Sequence, residues 1–360
     1  MSVCSETQSE SSDDACINIT NDPDLYFPDG NLVILTRDNE SNHTYFRVHQ
    51  SILSKHSQAL SDHILLGSSS LGDLYDGVPL VEFQEDPRDL NIFLKFLYEP
   101  LWVFLLSISR LLKLELTSYT FSAAPLQRGD PDIAYSLYGA LKLADRFLIH
   151  PLRDMILTHI REDWPQTLQG WDEREALYLR RMKNSPGLTM DDVAPEPASV
   201  IRLARMFEPR LLTLAFYHLS RLPANAIYKR HGQGMRNARG VRTHILSPAD
   251  REKAMVGRER MLKWLADRME GAMFDTWHCV SGEPCHLHIY WRVAVLHRTV
   301  MRNLDVLATL RSMRSHKTER GTSQVVEDAV CPDCNTRWDQ ILSDTRRDFF
   351  DSLSSFFPDL

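Results

Sequence analysis

Between Tyr45 and Leu60 the chain changes its hydrophobic period, and that change constrains the fold more than any other stretch. Tyr45, Phe46, Arg47 and Val48 suit a short half-buried strand, after which Leu53, His56 or Ser57, Leu60 and Ile64 recur three or four residues apart. A strand therefore runs directly into a helix. Upstream, Asp29, Gly30 and Asn31 signal a turn and Leu32 to Leu35 form an apolar run. Two strands joined by a polar turn centred on Asp38, Asn39 and Glu40 thus precede the helix, as a hairpin.

Helical spacing continues beyond Leu60. A Gly/Ser loop is expected from Gly67 to Gly77, a third strand over Leu80 to Phe83, and a helix opening at Pro87 with Asp86 as cap. Leu90, Phe93, Leu94 and Leu97 supply that helix with its apolar stripe. Further helices follow from Ala134, Leu137, Leu141, Ala144 and Phe147, and, after a break at His150 and Pro151, from Leu152, Met155, Ile156 and Ile160.

In residue types and offsets, "DGNLVI…YFRVHQSILSKHSQAL" resembles the opening of a BTB/POZ domain. That family carries an aromatic, a Val-His pair, an aliphatic pair and a Ser at set offsets across a strand-to-helix junction. "ALKLADRFLIHPLRDMILTHI" resembles its last helix pair. The resemblance implies an α+β fold, a small mixed sheet flanked by helices over residues 25–163, and the helical patterns beyond it give a mostly α-helical C-terminal region. It also implies a protein-interaction module that homo- or hetero-dimerises through its first helices. The matching positions are Asp29, Phe46, Val48, His49, Ile52, Leu53 and Ser57, which read as fold determinants. Gln50 stands where family members with a charged pocket carry Lys or Arg.

Residues 101–125, "LWVFLLSISRLLKLELTSYTFSAAP", depart from the family pattern, and Pro-Leu pairs flank them on both sides. They read as an insertion, with a retained intron as one origin. An added amphipathic helix or a membrane-binding segment are the competing readings, although Arg110, Lys113 and Glu115 interrupt any span.

At 360 residues with 43% hydrophobic composition, two domains and a substantial core are expected. Residues 1–24 are acidic and Ser-rich and read as a disordered tail; Cys4 and Cys16 fall within it as reduced thiols without a role. No Lys or Arg precedes Arg37, and no run of 18 apolar residues is free of charge. An intracellular protein, cytoplasmic or nuclear and without a membrane span, is the expectation.

Residues 164–199 are expected as a connecting helix and linker, because Pro186, Gly187, Pro195 and Pro197 cluster in 183–199. The region 200–360 reads as helices over Val200 to Leu222, Ser247 to Phe274, Ile289 to Met313 and Thr336 to Phe357. Its arrangement, with its cysteine pairs and the closing "FFDSLSSFF", resembles BTB proteins abundant in mushroom-forming fungi.

Net charge is −7, yet residues 201–320 hold 22 Lys and Arg against 10 Asp and Glu. The stretch 229–242, "KRHGQGMRNARGVR", has five Lys or Arg and no acid. It is a candidate nucleic-acid-contacting loop, set against a solvated loop because it lacks interleaved aromatics.

Cys331 and Cys334 have a metal-clamp spacing, and Cys279 and Cys285 lie upstream with His278, His286 and His288 beside them. Four thiolates from two segments would close a tetrahedral structural zinc site; His replacing a Cys, or four reduced thiols, are the other readings. A thioredoxin-like role is disfavoured because no βαβ pattern surrounds the pair.

No catalytic residue is assigned. His49 and His56 beside Ser51, Ser54 and Ser57 lack a nucleophile elbow and a placed acid, so enzymatic function is not expected. A dimerising adaptor or scaffold is the leading expectation. A cullin ubiquitin-ligase substrate receptor and a nucleic-acid-associated regulator are the alternatives.

Overall fold

The computed structural model describes residues 18–38, 42–71, 74–98, 130–187, 193–223, 241–274, 279, 285–314 and 330–357. The chain divides into two compact units, Met1–Ile160 and Arg161–Leu360.

In the first unit a five-stranded mixed sheet is built from β1 (Ile19–Tyr26), β2 (Leu32–Arg37), β3 (His43–Val48), β4 (Leu74–Tyr75) and β5 (Val78–Phe83). Their spatial order is β1-β3-β2-β5-β4. β2 and β3 form the expected antiparallel hairpin, Leu32 opposite Val48 through Arg37 opposite His43. β5 then returns parallel to β2, which requires a crossover, and helices α1 (Gln50–His56) and α2 (Gln58–Leu71) supply it.

Being central, β2 is buried on both faces, hence its continuous Leu-Val-Ile-Leu run. Val33 and Leu35 pack with Tyr45 on one side, while Ile34, Phe46, Val48 and Phe83 are also withdrawn from solvent. α3 (Pro87–Tyr98), α4 (Ile133–Arg146) and the greater part of α5 (His150–Glu162), up to Ile160, complete the unit. α3 packs on α4 and α2 on β5. Asp86 caps α3 as expected, accepting from the Arg88 amide at 2.8 Å.

Two expectations are corrected here. Residues 19–24 belong to β1, which pairs in parallel with β3, so a tail reaching residue 24 is not what the chain forms. Asp22 folds inward to accept from the Leu25 amide at 2.9 Å and from Asn91 at 2.7 Å. Tertiary hydrogen bonds thus hold an acidic strand that composition alone would leave in water. The Gly/Ser stretch at 67–71 continues α2 where a loop was expected, and the following turn carries Asp76 and Gly77 at positive φ. Residues 1–17, with Cys4 and Cys16, and the segment 101–125 lie outside the described residues. No described helix is long and apolar enough to cross a membrane.

The second unit is helical: α6 (Leu168–Asn184), α7 (Pro197–Phe207), α8 (Leu212–Ser220), α9 (Pro248–Phe274), α10 (Cys285–Asn303), α11 (Val306–Arg314), α12 (Pro332–Asp351) and α13 (Leu353–Phe356). α9 opens with a reciprocal cap: Ser247 Oγ accepts from the Asp250 amide at 3.0 Å, and Asp250 accepts from the Ser247 amide at 3.2 Å.

The linker expected within 183–199 is instead packed structure at its C-terminal end. Val193, Ala194, Glu196 and Ala198 are buried. The Glu196 carboxylate caps α7, accepting from the amides of Ala198 at 2.9 Å and Ser199 at 2.8 Å, with Pro197 in the first turn. The single helix expected over Ile289 to Met313 is two, because Leu304 adopts φ 57° and Asp305 starts α11 by accepting from the Ala308 amide at 3.0 Å.

The closing aromatics anchor this core: Phe349, Phe356 and Phe357 are all buried. A Cβ on Gly257 of α9 would lie 2.0 Å from the Phe357 ring. Gly257→Ala is therefore expected to destabilise the chain by about 1–3 kcal/mol through overpacking, despite the roughly 1 kcal/mol helix propensity that alanine adds. Chemical denaturation followed by circular dichroism would read this, and equal or greater stability would refute the close packing.

Candidate metal centre

Four cysteine sulfurs come together at the start of two helices. Cys285 is the first residue of α10 and Cys331 the N-cap residue of α12, whose first turn holds Cys334. Cys279 approaches from the segment before α10. Residues at an N-cap and three positions on share a helix face, so Cys331 and Cys334 project to one side. Apolar side chains one turn further along, Ile289 on α10 and Trp338 on α12, are buried and fix both helix ends.

Cys279 Sγ lies 3.5 Å from Cys285 Sγ and 3.7 Å from Cys331 Sγ, and all four sulfurs fall within 4.8 Å of one another. A disulfide needs about 2.05 Å, so these thiols are unbonded. Zinc–sulfur bonds of about 2.3 Å in a tetrahedron separate the sulfurs by roughly 3.8 Å. The observed spacings suit one ion held by four thiolates. Cys285 and Cys334 are buried, whereas Cys279 and Cys331 are partly exposed, which gives one open side.

The Cys331 amide donates to Cys285 Sγ at 3.3 Å, adding the positive end of α12 to the site. That bond, with the Cys334 thiol, draws Cys285 toward ionisation, while burial and the thiols of Cys279 and Cys331 oppose it, and the net direction is upward. Four thiols this close need a cation to ionise together. Such a set leaves no coordination position for substrate, so it can hold a structural ion but not a catalytic one. Arg292 of α10 adds a second tie, donating to Asn335 of α12 at 2.6 Å.

All four sequence-assigned ligands, Cys279, Cys285, Cys331 and Cys334, are brought together. The described histidines His286 and His288 are not members of the group. The basic stretch lies outside the described residues from 229 to 240. Of its last two residues, Val241 is buried and the Arg242 amide donates to Glu196 at 3.1 Å.

At the strand-to-helix junction of the first unit, His49 is the N-cap residue of α1. Its amide donates to the Tyr98 hydroxyl at 2.6 Å, its Nδ1 lies 3.0 Å from the same hydroxyl, and its Nε2 lies 3.3 Å from Asp29. The ring is thus held from both nitrogens, by the Tyr98 hydroxyl on one side and the Asp29 carboxylate on the other, and His49 keeps the Asp29 carboxyl below its ordinary value. Ser57 Oγ accepts from the Leu60 amide at 3.1 Å and donates to the Phe147 carbonyl, while His56 Nε2 meets the Leu97 carbonyl at 2.8 Å. These side chains join elements. Ser57→Ala is expected to cost about 1–2 kcal/mol, as loss of a cap does, measured as a lowered denaturation midpoint with unchanged slope.

Sequence reasoning missed a buried charged cluster in the second unit. Arg174 lies over the Trp171 ring at 3.8 Å. Arg221 reaches Glu175 at 3.2 Å and Asp305 at 2.7 Å, and Tyr217 donates to Asp305 at 2.9 Å. Burial opposes ionisation of Asp305, but Arg221, the Ala308 amide and Tyr217 outweigh it and hold its carboxyl below the usual range. Burial, then Arg221 and Arg174, drive His218 well below the ordinary imidazole value, so it is neutral. The two cations and two anions balance, and the cluster ties α6, α8 and the start of α11 together. The aromatic residues at 164, 171, 178 and 217 interleaved with Arg174 and Arg221 were the available signal.

No protein-family model matches the chain, and neither a curated protein nor a solved structure matches it.

Proposed function

We propose that this chain is a non-enzymatic protein-docking molecule: a BTB-type module that pairs with a second copy or a related chain through its first helices, joined to a helical unit stapled by zinc. The observation that carries the reading is the junction at His49. His49, His56 and Ser57 direct their polar atoms into bonds with α3, α4 and the Asp29 turn, so the residues that looked reactive serve architecture. The order hairpin, helix pair, further strand and closing helices, which follows β1, supports the reading, since the family resemblance leads one to expect it. On α1, Ser51 and Lys55 are exposed and offer themselves to a partner.

Light scattering on the full chain tests the pairing. A mass of twice 41.5 kDa is expected, falling to that of one chain in Ser51→Glu with Lys55→Glu. A single-chain mass at every concentration would refute pairing with a second copy. Metal analysis tests the staple, with one zinc per chain expected.

A further inference from the structure

Helix α10 has two apolar faces. Cys285, Ile289, Leu296 and Val300 form the inner one and are buried. On the outer side Leu287, Tyr290, Trp291 and Met301 keep 60, 45, 48 and 62% of their surface exposed. Single exposed apolar residues need no explanation, but these are aligned. Leu287, Trp291, Ala294, Arg298 and Met301, all exposed, advance by steps of four, three, four and three, the seam of a helix that pairs with another helix. At 1.5 Å per residue the seam runs for about 21 Å, or four turns.

The charges on α10 decide what kind of helix fits. Arg292, Arg298, Arg302, His286, His288 and His297 all lie on it, and no Asp or Glu does. Arg292 is engaged by Asn335, and His297 lies near Glu270 of α9, which leaves Arg298 and Arg302 as exposed cations. A second copy would set one carboxylate-free basic helix against another. A bilayer would have to take up Arg298 from the middle of the apolar row. An acidic helix meets both requirements: apolar side chains along its own seam and carboxylates beside it.

We propose that the outer face of α10 docks an acidic amphipathic helix of a protein partner, with Asp or Glu set opposite Arg298 and Arg302. The surface belongs to the second unit and is separate from the pairing proposed for the first.

A display library of peptides about 20 residues long, enough for a helix of some 30 Å, is selected on the full zinc-loaded chain. A parallel selection uses Leu287→Glu, Trp291→Glu, Met301→Glu, a variant expected to keep its fold and zinc because the changes are exposed. Enriched peptides should be net acidic with apolar residues at three- and four-residue spacing. They should bind the variant at least about tenfold more weakly, as loss of aromatic anchors at an interface does. Arg298→Glu with Arg302→Glu should shift the selection toward basic peptides. No enrichment, enrichment without acidic bias, or equal binding to the variant would overturn the proposal. So would face-dependent binding to phosphatidylserine vesicles without peptide enrichment, or self-association abolished by the triple variant, each of which assigns the face to another occupant.

Discussion

A chain carrying Cys331→Ser and Cys334→Ser is expected to purify without zinc and to lose several kcal/mol of stability in its second unit. The sulfurs of Cys279, Cys285, Cys331 and Cys334 lie within 4.8 Å of one another, and an ion among them would replace chain entropy with four bonds between the α10 and α12 ends. Zinc-finger peptides gain roughly 10–16 kcal/mol from such a site. The effect here should be smaller, because Leu296, Val300, Leu310, Trp338 and Leu342 already form an apolar core. A strong chelator should reproduce the loss in the native chain and readdition of zinc should reverse it. Because the ligands bind as thiolates, acid should release zinc before it protonates the buried carboxylates. Native protein that holds no stoichiometric metal, or a double variant as stable as wild type, would remove the staple.

Asp305→Ala is expected to destabilise the chain by about 3–5 kcal/mol, the usual cost of leaving a buried charge without its partner. Arg221, 9% exposed, would keep Glu175 but lose its 2.7 Å contact with Asp305. Tyr217 would lose its acceptor and α11 its cap. By contrast, Arg37→Ala should cost about 0–1 kcal/mol, because its bridge to Glu82 is solvated. Replacing Arg221 by Met together with Asp305 by Leu should recover part of the loss, since an apolar pair removes both desolvated charges. The pH dependence has a definite sign. Asp305 has a lowered folded-state pKa, so its contribution is present above the ordinary Asp value and fades as pH falls through the folded one. A denaturation series from neutral to strongly acid pH, wild type against Asp305→Asn, would isolate it. Equal acid sensitivity of the two would refute the assignment.

Several elements were legible from local pattern. The hairpin, the helix after Val48, the Asp86 cap of α3 and the Ser247 cap of α9 each follow from residues within a few positions of one another. The cysteine group was legible as well, because thiol spacing limits which atoms can meet. The strand over Ile19–Tyr26 was not, since its support comes from β3 and Asn91, 69 residues away from Asp22. The buried stretch around Glu196 read as a linker for the same reason: prolines mark a turn locally, while burial depends on what packs over it.

By itself the sequence determined the strand-to-helix junction near position 50, the helical character of the second half and which four thiols could share an ion, because these depend on periodicity and short spacing. The tertiary structure alone decided that His49, His56 and Ser57 bond to distant elements, that Arg221 and Asp305 meet inside the second unit, and that one row of apolar residues on α10 faces outward. Burial and charge pairing between residues tens of positions apart are properties of packing, and no local pattern encodes them.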